Sequence, residues 1–303
     1  YIWLARIPVS KGCQRSELTS LLGYGMRSTA FNLLTYTASK VDLWCVGESL
    51  GTRATGMYDR AVHLMGQPIT VLGKLGDSVL FSGLSSLQDN LPEMQRVVLR
   101  GMHLIALATL PLTVALVWQA KGVTWLFLGP RFEESAAIVQ VLFAAVAFRA
   151  LTKLGDANMR ALDGLAAGIA IKVVFLVAIV AGVWWNLDQG HGTVGAAKAV
   201  GLASVLQWLL TLGWMSVRLK LRLLPLLHAL RGGLILSFVA VVPMALLSWM
   251  WWVESALSFG VSLAVLAWFP NLSLPQSLDQ QGGLRRAVAS KLPDSSLRRR
   301  WMH

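Results

Sequence analysis

Val41-Asp-Leu-Trp-Cys-Val-Gly-Glu-Ser-Leu-Gly-Thr-Arg-Ala-Thr-Gly-Met-Tyr-Asp-Arg-Ala-Val-His-Leu-Met-Gly-Gln-Pro68 is the stretch on which the reading of this chain turns. It holds acids, four glycines, a Tyr-x-Arg-Ala run and a proline, yet it lies among segments that belong in a membrane. Polar groups and helix breakers at bilayer depth are costly unless they line a cavity or meet a partner.

The surroundings are decisive about class. Of 303 residues, 55% are hydrophobic and 14% charged, with a mean hydropathy of +0.58; soluble domains carry about 25% charged residues. Several runs near the length of a membrane helix carry no charge. The fold class is therefore an all-α polytopic membrane protein. Eight spans are expected, at about 17–40, 54–81, 101–120, 136–154, 165–185, 196–216, 232–251 and 255–272. The stretch 232–272 is broken only by Glu254, so two helices with a tight turn fit it, with Trp249, Trp251 and Trp252 at a headgroup boundary. The first two spans are polar. One holds Arg27 and Asn32, the other Asp59, Arg60, His63, Lys74 and Asp77, and both read as helices lining an aqueous cavity.

The net charge of +12 does not point to nucleic acid: the chain has no RNA-binding aromatic motif and no zinc spacing. The cations follow the positive-inside rule instead. With the N-terminus in the cytoplasm, inside segments hold 17 Lys and Arg against 6 outside, and both termini fall on the cytoplasmic side. Cys13 and Cys45 flank one span, so neither a disulfide nor a metal site is expected from them. The chain opens on Tyr1 without a signal-peptide pattern, and the expectation is a late piece of a longer protein.

Within the spans, Arg60, Gln67 and Lys74 recur every seven residues and share one helix face, with Pro68 and Gly66 placed to kink the helix. Either this is a cationic cavity wall, or the two cations sit near opposite ends of the span and reach water. Arg149, Lys153, Asp156, Arg160 and Asp163, spaced 4, 3, 4 and 3, form a second stripe. It is either a charged wall at a cavity mouth or a helix leaving the bilayer with solvated, self-paired charges. Arg27 and Lys172 are single cations in apolar runs; each snorkels, meets a partner such as Asp77, or lines the cavity. His63 and His103 read as ordinary helix residues rather than proton relays. Buried cations outnumber buried acids, which favours an anionic substrate such as a phosphate-bearing lipid head.

The order of motifs resembles the polysaccharide-export branch of the multidrug/oligosaccharidyl-lipid/polysaccharide flippase superfamily. The residues that carry the resemblance are Asp42, Val46-Gly47, Leu50-Gly51, Gly56-x-Tyr58-x-Arg60-Ala61 and Pro68, then Leu87-Gln88-Asp89, Leu110-Pro111-Leu112, Leu128-Gly129 and the span ending at Arg149. The likeness covers roughly residues 15–220; it departs at Ser82-Gly83, where the family tends to have proline after the Leu-Phe pair. Such proteins are similar to two six-helix lobes around a central cavity, often with two extra helices.

The resemblance implies a cytoplasmic segment 1–16, a second lobe over 17–220, a loop and helix pair over 221–272, and a basic tail over 273–303. It implies a missing first lobe or other polysaccharide-assembly proteins as partners. It implies a bacterial inner-membrane flippase, not an enzyme and without cofactors, that moves undecaprenyl-pyrophosphate-linked oligosaccharide for lipopolysaccharide or exopolysaccharide synthesis by alternating access. Arg27, Asn32, Arg60, Gln67, Lys74, Arg149 and Lys172 would bind substrate. Asp42, Gly51, Gly56 and Pro68 would shape the outer turn and hinge. The rivals are an organic-cation efflux pump, which wants a net acidic cavity, a glycan polymerase, which wants a large outer loop or an Asp-x-Asp pair, and a remnant without function. No Asp-x-Asp occurs in the chain.

Overall fold

The computed structural model describes residues 15–85, 91–221 and 228–246, and side chains within 22–70, 92–221 and 228–240. The expected last span, the Trp249–Trp252 cluster, the Leu87-Gln88-Asp89 motif, Cys13, the basic tail, and the side chains of Lys74 and Asp77 lie outside these residues.

The described residues are helical, with no strand among them. In chain order they form α1 (Arg15–Ala38), α2 (Val41–Ser85), α3 (Leu91–Trp118), α4 (Ala120–Leu128), a 3₁₀ helix (Pro130–Ser135), α5 (Ala136–Ala144), α6 (Val146–Ala161), α7 (Leu165–Asp188), α8 (Gly192–Arg218) and α9 (Arg231–Leu246). By length and composition, Pro92–Trp118, Leu165–Asp188 and Gly192–Arg218 can each cross a membrane; the pair Pro130–Ala144 and Val146–Ala161, bent by 41°, makes a fourth as a broken span. α1 and α2 are long enough but too polar for that criterion, for the charges already named.

Two expectations change here. The span expected over 136–154 is not one straight helix. It breaks at Ala145, whose amide bonds the carbonyl of Leu142 at 3.0 Å in a tightened turn, and it resumes as α6. Neither glycine nor proline marks that break, so periodicity alone read through it. The turn expected within Val41–Pro68 is itself helical. α2 runs from Val41 to Ser85 with a single non-helical residue, Gly51 (φ 77°, ψ 179°). That conformation is open to glycine and strained for other residues. The break is thus one residue wide, and Gly56 and Pro68 keep helical backbone angles beyond it.

The molecule packs around α6, which touches α2, α3, α7 and α8. One core gathers Tyr58, Met65, Leu142, Phe143, Ile179 and Val200; the other gathers Met94, Val98, Leu154, Leu212 and Met215. Lipid offers apolar side chains no less comfort than a protein core does, so close packing must hold these helices together. Small residues allow it. A Cβ on Gly155 would collide with Thr211 of α8, and one on Gly168 would sit 2.7 Å from the Phe31 ring of α1. The outer surface is apolar where it meets lipid: Leu104, Val177, Leu202, Leu209, Val217 and Phe238 are exposed. α1 rests chiefly on α7.

Candidate functional site

The charged stripe that begins in α6 is the hub of the polar interior. Arg149 donates from Nε to Oγ of Ser204 on α8 at 3.1 Å. Lys153 donates from Nζ to the carbonyl of Ile69 on α2 at 3.4 Å. Asp156 accepts from Nζ of Lys172 on α7 at 2.8 Å. The Arg160 guanidinium lies 5.9 Å from the centre of the Phe31 ring on α1. Asp163, in the turn after α6, stands 3.9 Å from Arg27 of α1, and both side chains are exposed. The stripe is therefore not an open wall: its charges pair outside their own helix, although Arg160 Nε also donates to the Asp156 carbonyl one turn away at 3.3 Å. Its five members reach four neighbouring helices, with Arg160 and Asp163 both meeting α1.

Lys172 and Asp156 are the most enclosed of these charges, with side chains 5% and 12% exposed. The ammonium also faces the Phe31 ring at 5.2 Å, an approach that Gly168, one turn earlier on α7, leaves open. A lone ammonium at such depth is costly, and this one has a carboxylate and an aromatic face in compensation. Asp156 takes the place for which the sequence offered Asp77.

The break at Gly51 makes a second polar cluster. It folds the first segment of α2 back on the second, so that Tyr58 donates its hydroxyl to Asp42 at 3.2 Å with both residues buried. Gly47 and Thr55 meet across the fold, where a Cβ on Gly47 would lie 3.3 Å from the Thr55 hydroxyl. Thr55 Oγ1 donates to the carbonyl of Gly51 at 2.8 Å, satisfying the backbone at the break. Arg53 and Glu134, at 3.4 Å, link the break to the 3₁₀ helix.

The candidate substrate residues divide by depth. Arg27 and Asn32 on α1, and Arg60 and Gln67 on α2, are exposed; Gln67 bonds His63 one turn away at 3.1 Å. Arg149 is half-buried and Lys172 buried. Lys74 is on α2, but its side chain is outside the described residues.

Sequence reasoning missed the polar side of α8. Ser204, Gln207 and Thr211 are buried, and their 3-and-4 spacing in an otherwise apolar span was the available signal. It also missed a groove of about 640 Å³ where α3, α4, the 3₁₀ helix and α5 meet, lined by Trp118, Gln119, Lys121, Trp125, Glu133 and Gln140. Trp118, Lys121 and Trp125 recur at intervals of 3 and 4, but Glu133 and Gln140 join them only through the turn of the chain at the 3₁₀ helix.

Apolar outer faces around interior ion pairs define a multi-pass helical membrane protein. Residues 1–137 match the family model described as "Polysaccharide biosynthesis protein". The fold is similar to that of a solved structure titled "Lipid II flippase MurJ, inward closed conformation", with a TM-score of 0.58 and 12% identity over 78% of this chain and 52% of that one. The chain thus spans about half the length of that flippase. No curated protein matches. The family match, over less than half of this chain, and the likeness of fold both agree with the superfamily that the motifs resemble.

Proposed function

We propose that this chain forms one lobe of a flippase that carries a lipid-linked oligosaccharide across the bacterial inner membrane for cell-surface polysaccharide synthesis. The observation that carries the reading is the exposed polar row on α1 and α2: Arg27, Asn32, Arg60 and Gln67. Lipid would not tolerate such a face, so it fronts an aqueous cavity closed by a second lobe. The charges in this row are cations, which suits the undecaprenyl pyrophosphate of a lipid-linked glycan and disfavours an organic-cation efflux pump.

In this reading residues 17–220 are the second lobe, 221–272 a loop and extra helix pair, and 273–303 a basic tail on the headgroups. Both termini are cytoplasmic. A first lobe, or another protein of the polysaccharide assembly, supplies the facing wall. Lys74, seven residues beyond Gln67, extends the cationic row. Asp42, Gly51, Gly56 and Pro68 shape the helix that opens the lobe. Arg149 and Lys172 act from behind the cavity wall, through Ser204 and Asp156.

Charge reversal at Arg27 together with Lys74 is expected to stop export of the glycan in cells that depend on this protein, at unchanged protein level. Surface polysaccharide at the wild-type level in that double mutant overturns the pyrophosphate-cavity reading.

A further inference from the structure

The groove at the end of α3 has features that anchoring in a membrane does not require. Trp118 closes the apolar span Pro92–Trp118, so the groove lies at a membrane boundary. Trp118 and Trp125 are 46% and 55% exposed, and both line the groove. Interfacial tryptophans alone would be explained by the headgroup belt. Here they share a concave site with two amides and two charges of opposite sign, Gln119, Gln140, Lys121 and Glu133. Gln140 donates its amide to the carbonyl of Val117 at 3.3 Å and keeps its side-chain oxygen as an acceptor. Lys121 and Glu133 form no ion pair with each other or with any other described residue.

This is the chemistry of sugar recognition. An indole face is broad, rigid and apolar, and it fits the C–H face of a pyranose ring. Amides both donate and accept, a carboxylate accepts from paired hydroxyls, and an ammonium donates to them. The charges of Lys121 and Glu133 cancel, so the site favours a neutral polyhydroxylated ligand over a phosphate-bearing headgroup. Its volume falls in the range of small-ligand sites, about 300–1,000 Å³. The Arg53–Glu134 pair joins the 3₁₀ helix that flanks the groove to α2 just beyond the Gly51 break.

We propose that this groove is a saccharide-binding site that takes neutral sugar units of the carried oligosaccharide where they leave the membrane. The proposal rests on the flippase reading for the identity of the sugar, and on the groove alone for its chemical class. The probe is the oligosaccharide released by mild acid from the cell's own lipid-linked pool, free of lipid and phosphate. Binding to the full-length protein in nanodiscs is read by saturation-transfer NMR, with no glycoside detergent present.

Saturable binding is expected, at least tenfold weaker in Trp118→Ala/Trp125→Ala and several-fold weaker in Glu133→Gln. All three side chains are exposed, so the variants keep the fold, and Glu133→Gln preserves shape as well. Glycerophosphoglycerol, a soluble headgroup, is expected to give no signal. Absence of oligosaccharide binding, binding that the variants leave unchanged, or a response to glycerophosphoglycerol in its place overturns the proposal. The two readings fail separately. Export that survives reversal of Arg27 and Lys74 removes the cavity reading while sugar binding in the groove stands. Normal loss of export in that mutant with a groove blind to sugar removes only the groove.

Discussion

At the scale of single residues, the Lys172–Asp156 pair governs what substitution can do. Removing one partner of a buried pair leaves the other charge uncompensated, at a cost of about 3–5 kcal/mol, whereas replacing both by apolar residues of similar volume is close to neutral. Lys172→Met should therefore lower the thermal unfolding midpoint of the purified protein markedly, and Lys172→Met/Asp156→Leu should recover most of the loss. Additive losses in the double variant would show that the two charges act separately. The sequence exposed this lysine as an anomaly in an apolar run, and it exposed the charged stripe holding Asp156 by spacing. It did not join them. The choice of Asp156 depends on how α6 crosses α7, and Phe31 enters only because Gly168 lets α1 come close.

Among elements, α2 was the most legible and the most misread. Its polar residues and the run from Asp42 through Gly51 to Tyr58 stand out in the order of residues, and the structure puts the break at Gly51 and a hydrogen bond between Asp42 and Tyr58. Its clustered glycines and charges point to a turn, whereas all but Gly51 keep helical form. Gly51→Ala forces a Cβ into a conformation reserved for glycine and should cost about 1–3 kcal/mol. Gly56→Ala meets no atom within 4 Å and is expected to be neutral or to stabilise by up to about 1 kcal/mol. Thermal unfolding of the two variants side by side checks this, and equal effects would place the hinge elsewhere. The bend at Ala145 was not legible at all, since it arises from how α5 and α6 pack rather than from a breaker residue.

For the molecule as a whole, composition and charge asymmetry already spoke for a multi-pass helical protein, and the fold agrees. The α8 polar face was within reach through its 3-and-4 spacing, whereas the groove was not, because it needs Glu133 and Gln140 to be folded against the end of α3. Orientation is open to direct measurement. The distribution of lysine and arginine places Arg131 outside and Arg218 inside. With Cys13 and Cys45 replaced by serine, a cysteine at Arg131 should react with an impermeant maleimide on intact spheroplasts, and one at Arg218 only after permeabilisation. The reverse pattern would invert the lobe and move the groove to the cytoplasmic face.

The link between α6 and α7 also bears on biogenesis. Each helix carries into the bilayer a charge that, presented alone, resists insertion by about 2.5–3.5 kcal/mol near a helix centre. Only Leu162, Asp163 and Gly164 separate the two helices, and Asp156 and Lys172 meet across that turn. The sixth and seventh helices should therefore leave the translocon as one hairpin, charge already matched to charge. A ribosome stalled between them would hold an α6 that has not yet settled in the membrane.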